Sequence, residues 1–277
     1  MNSQVTVDGG NGNFEIEELL RWRIYMSFWE KFNTKWEREQ LGKFSSVFRI
    51  MYLLLPLIIY FTVGDIIEVI IWTALNHFLE GASMEVMSFL TDHAQSVQGI
   101  IYALGTIACI FVVFKSVKNE ITPDILPRKG MKDNAIDMIS VFFISLVVAV
   151  AVNYIFMISG FSSSSSSYNN IYKAQFGVDF IVGIVLYGLV SPIAEEMIFR
   201  GIIYNRLKRM FSLYLSVALQ AILFGLFHGN IIQGVYGFLM GILIGAIYEK
   251  YKGFWAPVLA HMVANVSIYV LSYTIWK

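Results

Sequence analysis

Two adjacent carboxylates, Glu195 and Glu196, stand in the stretch SPIAEEMIFR (Ser191–Arg200), at the end of a long apolar run. An ionised carboxylate inside a bilayer is costly unless something compensates it, so acids there are rare and usually functional. Two more polar sites follow, His228 in FGLFHG and His261 with Asn265 in HMVAN. Glu196 and Arg200 are four positions apart, a spacing that puts them on one helix face as an ion pair. Neighbouring helical residues point about 100° apart, so Glu195 is left to face another helix. Pro192 can open a helix at its first position with Ser191 as cap, or kink a continuous one. A helix opening there would set both carboxylates near its positive end.

A carboxylate, two imidazoles and an amide suffice to hydrolyse a peptide. The glutamate takes a proton from water as general base, and one histidine orients that water. The other histidine and the asparagine donate hydrogen bonds to the oxyanion of the tetrahedral intermediate. Phe224 lies one turn before His228 on the same face, and His261 and Asn265, four apart, project together. No serine or cysteine sits in a nucleophile context: GxSxG is missing, and Cys109 lies in a separate apolar run. The same Glu195, His228 and His261 could instead hold zinc, although HExxH is absent and the ligands come from three separate helices. The residues alone leave that open. They also leave open structural roles, with the glutamates as counter-ions and His261–Asn265 as glue between helices.

These residues must be positioned by a membrane-embedded scaffold. The chain is 57% hydrophobic and 14% charged, against roughly a quarter charged in soluble domains. The expected fold is all-α, a polytopic membrane bundle of about seven transmembrane helices. The spans are Val47–Val63, Gly99–Phe114, Ala135–Ile158, Val178–Arg200, Leu213–His228, Ile231–Tyr248 and Phe254–Ile275. An eighth arises only if Ile66–Leu79 crosses separately from the helix that Pro56 is expected to kink. Residues 81–98 read as a polar or mixed loop, and Ser162–Ser167 as a flexible one. Zero net charge argues against nucleic acid. The expected partners are membrane lipid and a membrane-associated or lipidated peptide or protein.

Three regions follow. Residues 1–46 form a cytoplasmic N-terminal segment in which Trp22, Tyr25, Trp29, Phe32 and Trp36 recur at steps of three and four, as on an interfacial amphipathic helix. Residues 47–177 hold the N-terminal transmembrane helices and loops. Residues 178–277 form the catalytic membrane core. The first long apolar run starts only near Val47, so no signal peptide is expected. The N-terminal region, the 115–132 loop, the 206–209 cluster and the 250–252 turn are basic, which places them and the N-terminus in the cytoplasm. Loops 81–98 and 160–177 are poor in Lys and Arg and belong outside.

EExxxR at Glu195–Arg200, FxxxH at Phe224–His228 and HxxxN at His261–Asn265 resemble, in order and type, the three motifs of the CAAX protease and bacteriocin-processing (CPBP, or Abi) family of intramembrane proteases. That family includes the type II CAAX prenyl endopeptidases. The resemblance covers about Val178–Asn265. It implies a metal-independent endopeptidase without a cofactor, in a bacterial-type cytoplasmic membrane. Glu195 would be the base and His228 its helper, His261 and Asn265 the oxyanion site, and Glu196 and Arg200 the support. Only one span separates the two histidines, as in bacterial-type members. The expected site of action is near the cytoplasmic side. Two other classes remain, a non-catalytic immunity or regulatory scaffold of the same fold and a proton-coupled transporter. The transporter lacks a second half repeating the pattern. Straight helices at 1.5 Å per residue put Glu195 about 21 Å, but His228 about 28 Å, from Arg209, a mismatch that requires either the 204–212 segment to project well into the cytoplasm or a helix to be broken.

Overall fold

The computed structural model describes residues 46–120, 131–160, 173–251 and 253–275. The aromatic stripe of residues 14–44 and the serine run lie outside these. The chain divides into two compact units, Met1–Tyr52 and Leu53–Lys277; only Ser46–Tyr52 of the first is described.

The described residues are helical: α1 Ser46–Leu79, α2 Met84–Asp92, α3 Ala94–Glu120, α4 Met131–Ile158, α5 Phe180–Met210, α6 Leu213–Phe227, α7 Ile231–Tyr251 and α8 Trp255–Ile275. Six of them are long and apolar enough to cross a bilayer, and α6 is a shorter apolar helix. The fold is a polytopic helical membrane bundle. Large apolar side chains such as Phe111, Val147 and Ile181 stay exposed, as lipid contact requires.

Several boundaries differ from the sequence reading. Ile66–Leu79 is not a separate crossing but the second half of α1, which runs on through Pro56 for 34 residues, about 51 Å. That exceeds the roughly 30 Å hydrocarbon, so its Asp65 and Glu68 need not sit at the membrane centre. Glu68 accepts from Gln98 Nε2 at 2.7 Å, and Trp72 Nε1 donates to Gln98 Oε1 at 3.0 Å. The 81–98 stretch is helical rather than a loop: Ser83 caps α2 through Val86 N, and α3 starts at Ala94. The fourth span does not end at Arg200. It continues to Met210, because the basic residues there find partners, Lys208 pairing with Glu249 of α7.

α5 lies at the centre, and every residue from Ala194 to Tyr204 is buried. Its Met197, Ile198, Phe199, Ile202 and Ile203 pack with Tyr60 of α1, Cys109 and Val113 of α3, Phe224 of α6 and Val258 of α8. A second core joins Val141 and Ala149 of α4 to Met240 and Ile244 of α7 and Ala260 and Ala264 of α8.

α6 and α7 form a close antiparallel pair. A Cβ on Gly225 would fall 2.5 Å from the Gly234 carbonyl oxygen, so these backbones touch only because both residues are glycine. Gly225→Ala therefore overpacks the pair and is expected to cost about 1–3 kcal/mol. Thermal unfolding in detergent checks this, with Gly64→Ala, where no atom lies within 4 Å, expected to stay within about 0.5 kcal/mol of the parent.

Candidate active site

The site begins with an irregular helix. α5 is α-helical at Phe180–Gly183, π-helical at Ile184–Val190, α-helical at Ser191–Glu196, π-helical at Met197–Tyr204 and α-helical at Asn205–Met210. π turns are rare and concentrate at functional sites. No helix starts at Pro192 and Ser191 caps none. Both glutamates therefore sit in the middle of α5 and not at a positive end. In the π register each N–H reaches five residues back, as Ser191 N does to the Leu186 carbonyl. Pro192 has no N–H, so the Tyr187 carbonyl loses the partner this register would supply. Asn265 Nδ2 of α8 donates to that carbonyl at 2.9 Å. In the second π stretch Asn205 Nδ2 likewise donates to the carbonyls of Arg200 at 3.1 Å and Gly201 at 3.0 Å.

The two glutamates have opposite surroundings. Glu196 is fully buried, and its Oε1 accepts from Arg200 Nη1 at 2.7 Å and from His261 Nδ1 at 2.8 Å. Arg200, also fully buried, donates from Nη2 to the Gly241 carbonyl at 3.3 Å and lies over the Phe224 ring, 4.7 Å from its centroid. Glu195 is 7% exposed and lines a cavity of about 580 Å³. Among the described residues nothing donates a hydrogen bond to its Oε2. His261 Nε2 faces that oxygen at 3.8 Å.

His228 lines the same cavity. Its Nδ1 lies 2.8 Å from the Phe224 carbonyl oxygen, which can only accept, so Nδ1 carries the hydrogen and Nε2 is left as acceptor. The ring lies on Gly237, whose Cβ would approach it to 3.0 Å. The depth mismatch disappears because the turn lies at 211–212: Glu195 precedes Met210 by 15 positions and His228 follows Leu213 by 15. The antiparallel α5 and α6 thus bring both to one height.

Glu195, His228 and Asn265 reach the cavity wall, and His261 lies behind Glu195 without lining it. Phe224 sits between both imidazoles, 5.1 Å from His228 and 5.4 Å from His261 between ring centroids, edge to face. Sequence reasoning missed the Glu196–His261 bond, because no spacing links residues 65 positions apart. It also missed Asn205 and the small face of α7. The signals were there to be read: Gly234, Gly237, Gly241 and Gly245 recur at helical steps, and Pro192 leaves a carbonyl wanting a donor. Among the described residues no group of three or more His, Cys, Asp and Glu side chains is arranged to hold a metal ion.

Residues 177–267 match the family model described as Type II CAAX prenyl endopeptidase Rce1-like. This segment is similar to the CAAX-protease-like family. The chain is also 24% identical over 187 residues to the Bacillus subtilis (strain 168) protein named "Putative membrane peptidase YdiL", covering 65% of this chain and 72% of that one. No solved structure matches it. The matched segment holds all three motifs and every residue of the site just described.

The adjacent glutamates should separate by stability. Glu196→Ala strands a buried guanidinium and an imidazole, a loss expected to cost about 3–5 kcal/mol. Glu195→Gln removes no hydrogen bond that a described group donates to Oε2 and should change stability by less than about 0.5 kcal/mol. Melting in detergent, read by intrinsic fluorescence, distinguishes them; equal losses would contradict the division.

Proposed function

We propose that this integral membrane protein is an intramembrane endopeptidase. It hydrolyses a peptide bond of a membrane-associated protein or peptide with a water activated by Glu195. The observation that carries this reading is the Glu195 carboxylate, which lines the cavity with Oε2 unsatisfied by any described group, whereas Glu196, held at Oε1 by Arg200 and His261, does not line it. A buried acceptor with no protein donor is costly, and this one stands at the wall of a cavity that can hold water or substrate.

The chemistry follows from the positions. Glu195 takes one proton from water, and His228 Nε2 accepts a hydrogen bond from the other hydrogen and orients the oxygen. The resulting hydroxide adds to the peptide carbonyl carbon. One amide hydrogen of Asn265 is held by the Tyr187 carbonyl; the other is available to the oxyanion. The intermediate collapses as the C–N bond breaks, and the proton held by Glu195 passes to the leaving nitrogen. The products are a carboxylic acid and an amine, so the water is fully accounted for.

Glu196 fixes His261 at Nδ1, leaving Nε2 towards Glu195. We therefore assign His261 to exchanging the proton of Glu195, in place of the oxyanion role that the family resemblance implies.

The test is cleavage of a membrane-tethered peptide in proteoliposomes. Glu195→Gln and Glu195→Ala should lower turnover at least about 100-fold and His228→Ala about 100-fold, the usual scale for a positioned acid or base. Full turnover in the glutamate variants would rule the mechanism out. Dialysis against EDTA should leave turnover unchanged; a loss that zinc alone restores would overturn the metal-independent route.

A further inference from the structure

The oxyanion is short of donors. With His261 turned towards Glu195, it is left with the one free amide hydrogen of Asn265. Such a charge is usually met by more than one donor, and a tyrosine hydroxyl is among the groups that serve. Tyr102, Tyr187, Tyr236 and Tyr269 line the cavity. The hydroxyls of Tyr236 and Tyr269 are themselves buried, away from anything the cavity holds. Of these tyrosines, Tyr102 is the one on which the charge of Glu195 acts.

α3 holds Tyr102 firmly against α5. Ser96 Oγ donates to Asp179 Oδ2 at 2.7 Å and accepts from Asp179 N at 2.9 Å, and a Cβ on Gly99 would meet Leu186 at 3.3 Å. Tyr102 follows three residues later, 38% exposed, in the same cavity wall as Glu195, His228 and Asn265. Behind it lies Tyr60 of α1, 4% exposed, and the two hydroxyl oxygens are 2.6 Å apart. The Tyr60 ring packs on Phe227 at 5.5 Å between centroids, and Phe227 on His228 at 5.9 Å. The hydroxyl pair is thus fixed to the helix end that carries His228, and the charge of Glu195 acts on Tyr60 as well. Tyr187, whose carbonyl holds Asn265, also interacts with Tyr102. Tyr102 and Asn265 therefore border the same stretch of α5.

Two hydroxyls that share one hydrogen between them have one left to give. When an anionic oxygen draws the Tyr102 hydrogen, Tyr60 supplies its own to the Tyr102 oxygen, and each bond strengthens the other. An oxyanion gains more from this than a neutral peptide carbonyl does, so the pair favours the transition state. Resting on the endopeptidase reading above and on the assignment of His261 to proton exchange, we propose that Tyr102 is a catalytic residue, the second hydrogen-bond donor to the oxyanion. Tyr60 is the positioning residue that aims its hydroxyl. Tyr102 transfers no proton: it keeps its hydrogen while the oxyanion reverts to a carbonyl and the C–N bond breaks.

The experiment measures turnover of the membrane-tethered peptide by the full chain in proteoliposomes. Tyr102→Phe should lower kcat about 100-fold and leave KM within about threefold. Tyr60→Phe leaves the donor but loses its aim, and should lower kcat about three- to tenfold. Added to Tyr102→Phe, it should change kcat by less than about twofold, because Tyr60 acts through Tyr102. Losses that multiply overturn the positioning role. A peptide phosphinate presents charged tetrahedral oxygens without being cleaved, and Tyr102→Phe should weaken its binding about 100-fold. Unchanged kcat, a raised KM alone or unchanged phosphinate binding overturns Tyr102 as an oxyanion donor. Tyr102→Phe strands the buried Tyr60 hydroxyl, whereas the double variant removes both partners, which is nearly neutral for folding. If the single variant does not fold, the double variant carries the same expectation, and parental turnover in it overturns the proposal. Glu195→Gln separates the two readings. Parental turnover in Tyr102→Phe beside an inactive Glu195→Gln overturns this proposal alone. Parental turnover in Glu195→Gln, or a parent that cleaves no peptide, overturns the endopeptidase reading and this proposal with it.

Discussion

Everything at the centre of this bundle hangs on the Glu196 carboxylate. One of its oxygens accepts from Arg200 and from His261, at 2.7 Å and 2.8 Å, with no solvent contact. A guanidinium in this setting is tolerable only with a partner and with further acceptors. Arg200 has both, together with the face of Phe224. The ion pair therefore does more than balance charge. It ties α5 to α7 through the Gly241 carbonyl and to α8 through His261, fixing three helices around one point. Glu195, its neighbour in sequence, is freed from any such duty.

The backbone of α5 is as important as its side chains. Two π stretches bracket the α turn that bears the glutamates, and each leaves carbonyls that need donors from elsewhere. Irregular backbone is tolerated at membrane depth only where protein covers it or it lines a cavity. Asn265 and Asn205 supply the donors, so the amide that closes the site also satisfies the helix that carries it. α7 answers with small residues: Gly237 admits the His228 ring and Gly241 admits the backbone of Ala221. Position at the site is thus set by close backbone approach, which is more rigid than contact through long side chains.

Much of this was legible in the sequence. The membrane bundle followed from composition and span lengths, and the i,i+4 spacing of Glu196 and Arg200 fixed their pairing and the independence of Glu195. Three polar clusters in an apolar background marked α5, α6 and α8 as the helices to watch, because each polar group in lipid must be explained. Local periodicity also located the spans, though it misjudged their ends. It ended the first span at Val63, before Asp65 and Glu68, and left open whether residues 66–79 continue it, and it stopped α5 at Arg200 because partners such as Glu249 for Lys208 lie far along the chain.

Only the tertiary structure decided the rest. No spacing could show that His261 bonds to Glu196 while merely facing Glu195. Hydropathy carries no information about π register, so the exchange of a missing Pro192 N–H for an Asn265 amide was invisible. The height of His228 depended on where one turn falls. Sequence determines which groups must be sheltered from lipid, since that cost belongs to each side chain. Which groups then shelter one another is a property of distances between helices, and these exist only once the bundle has packed.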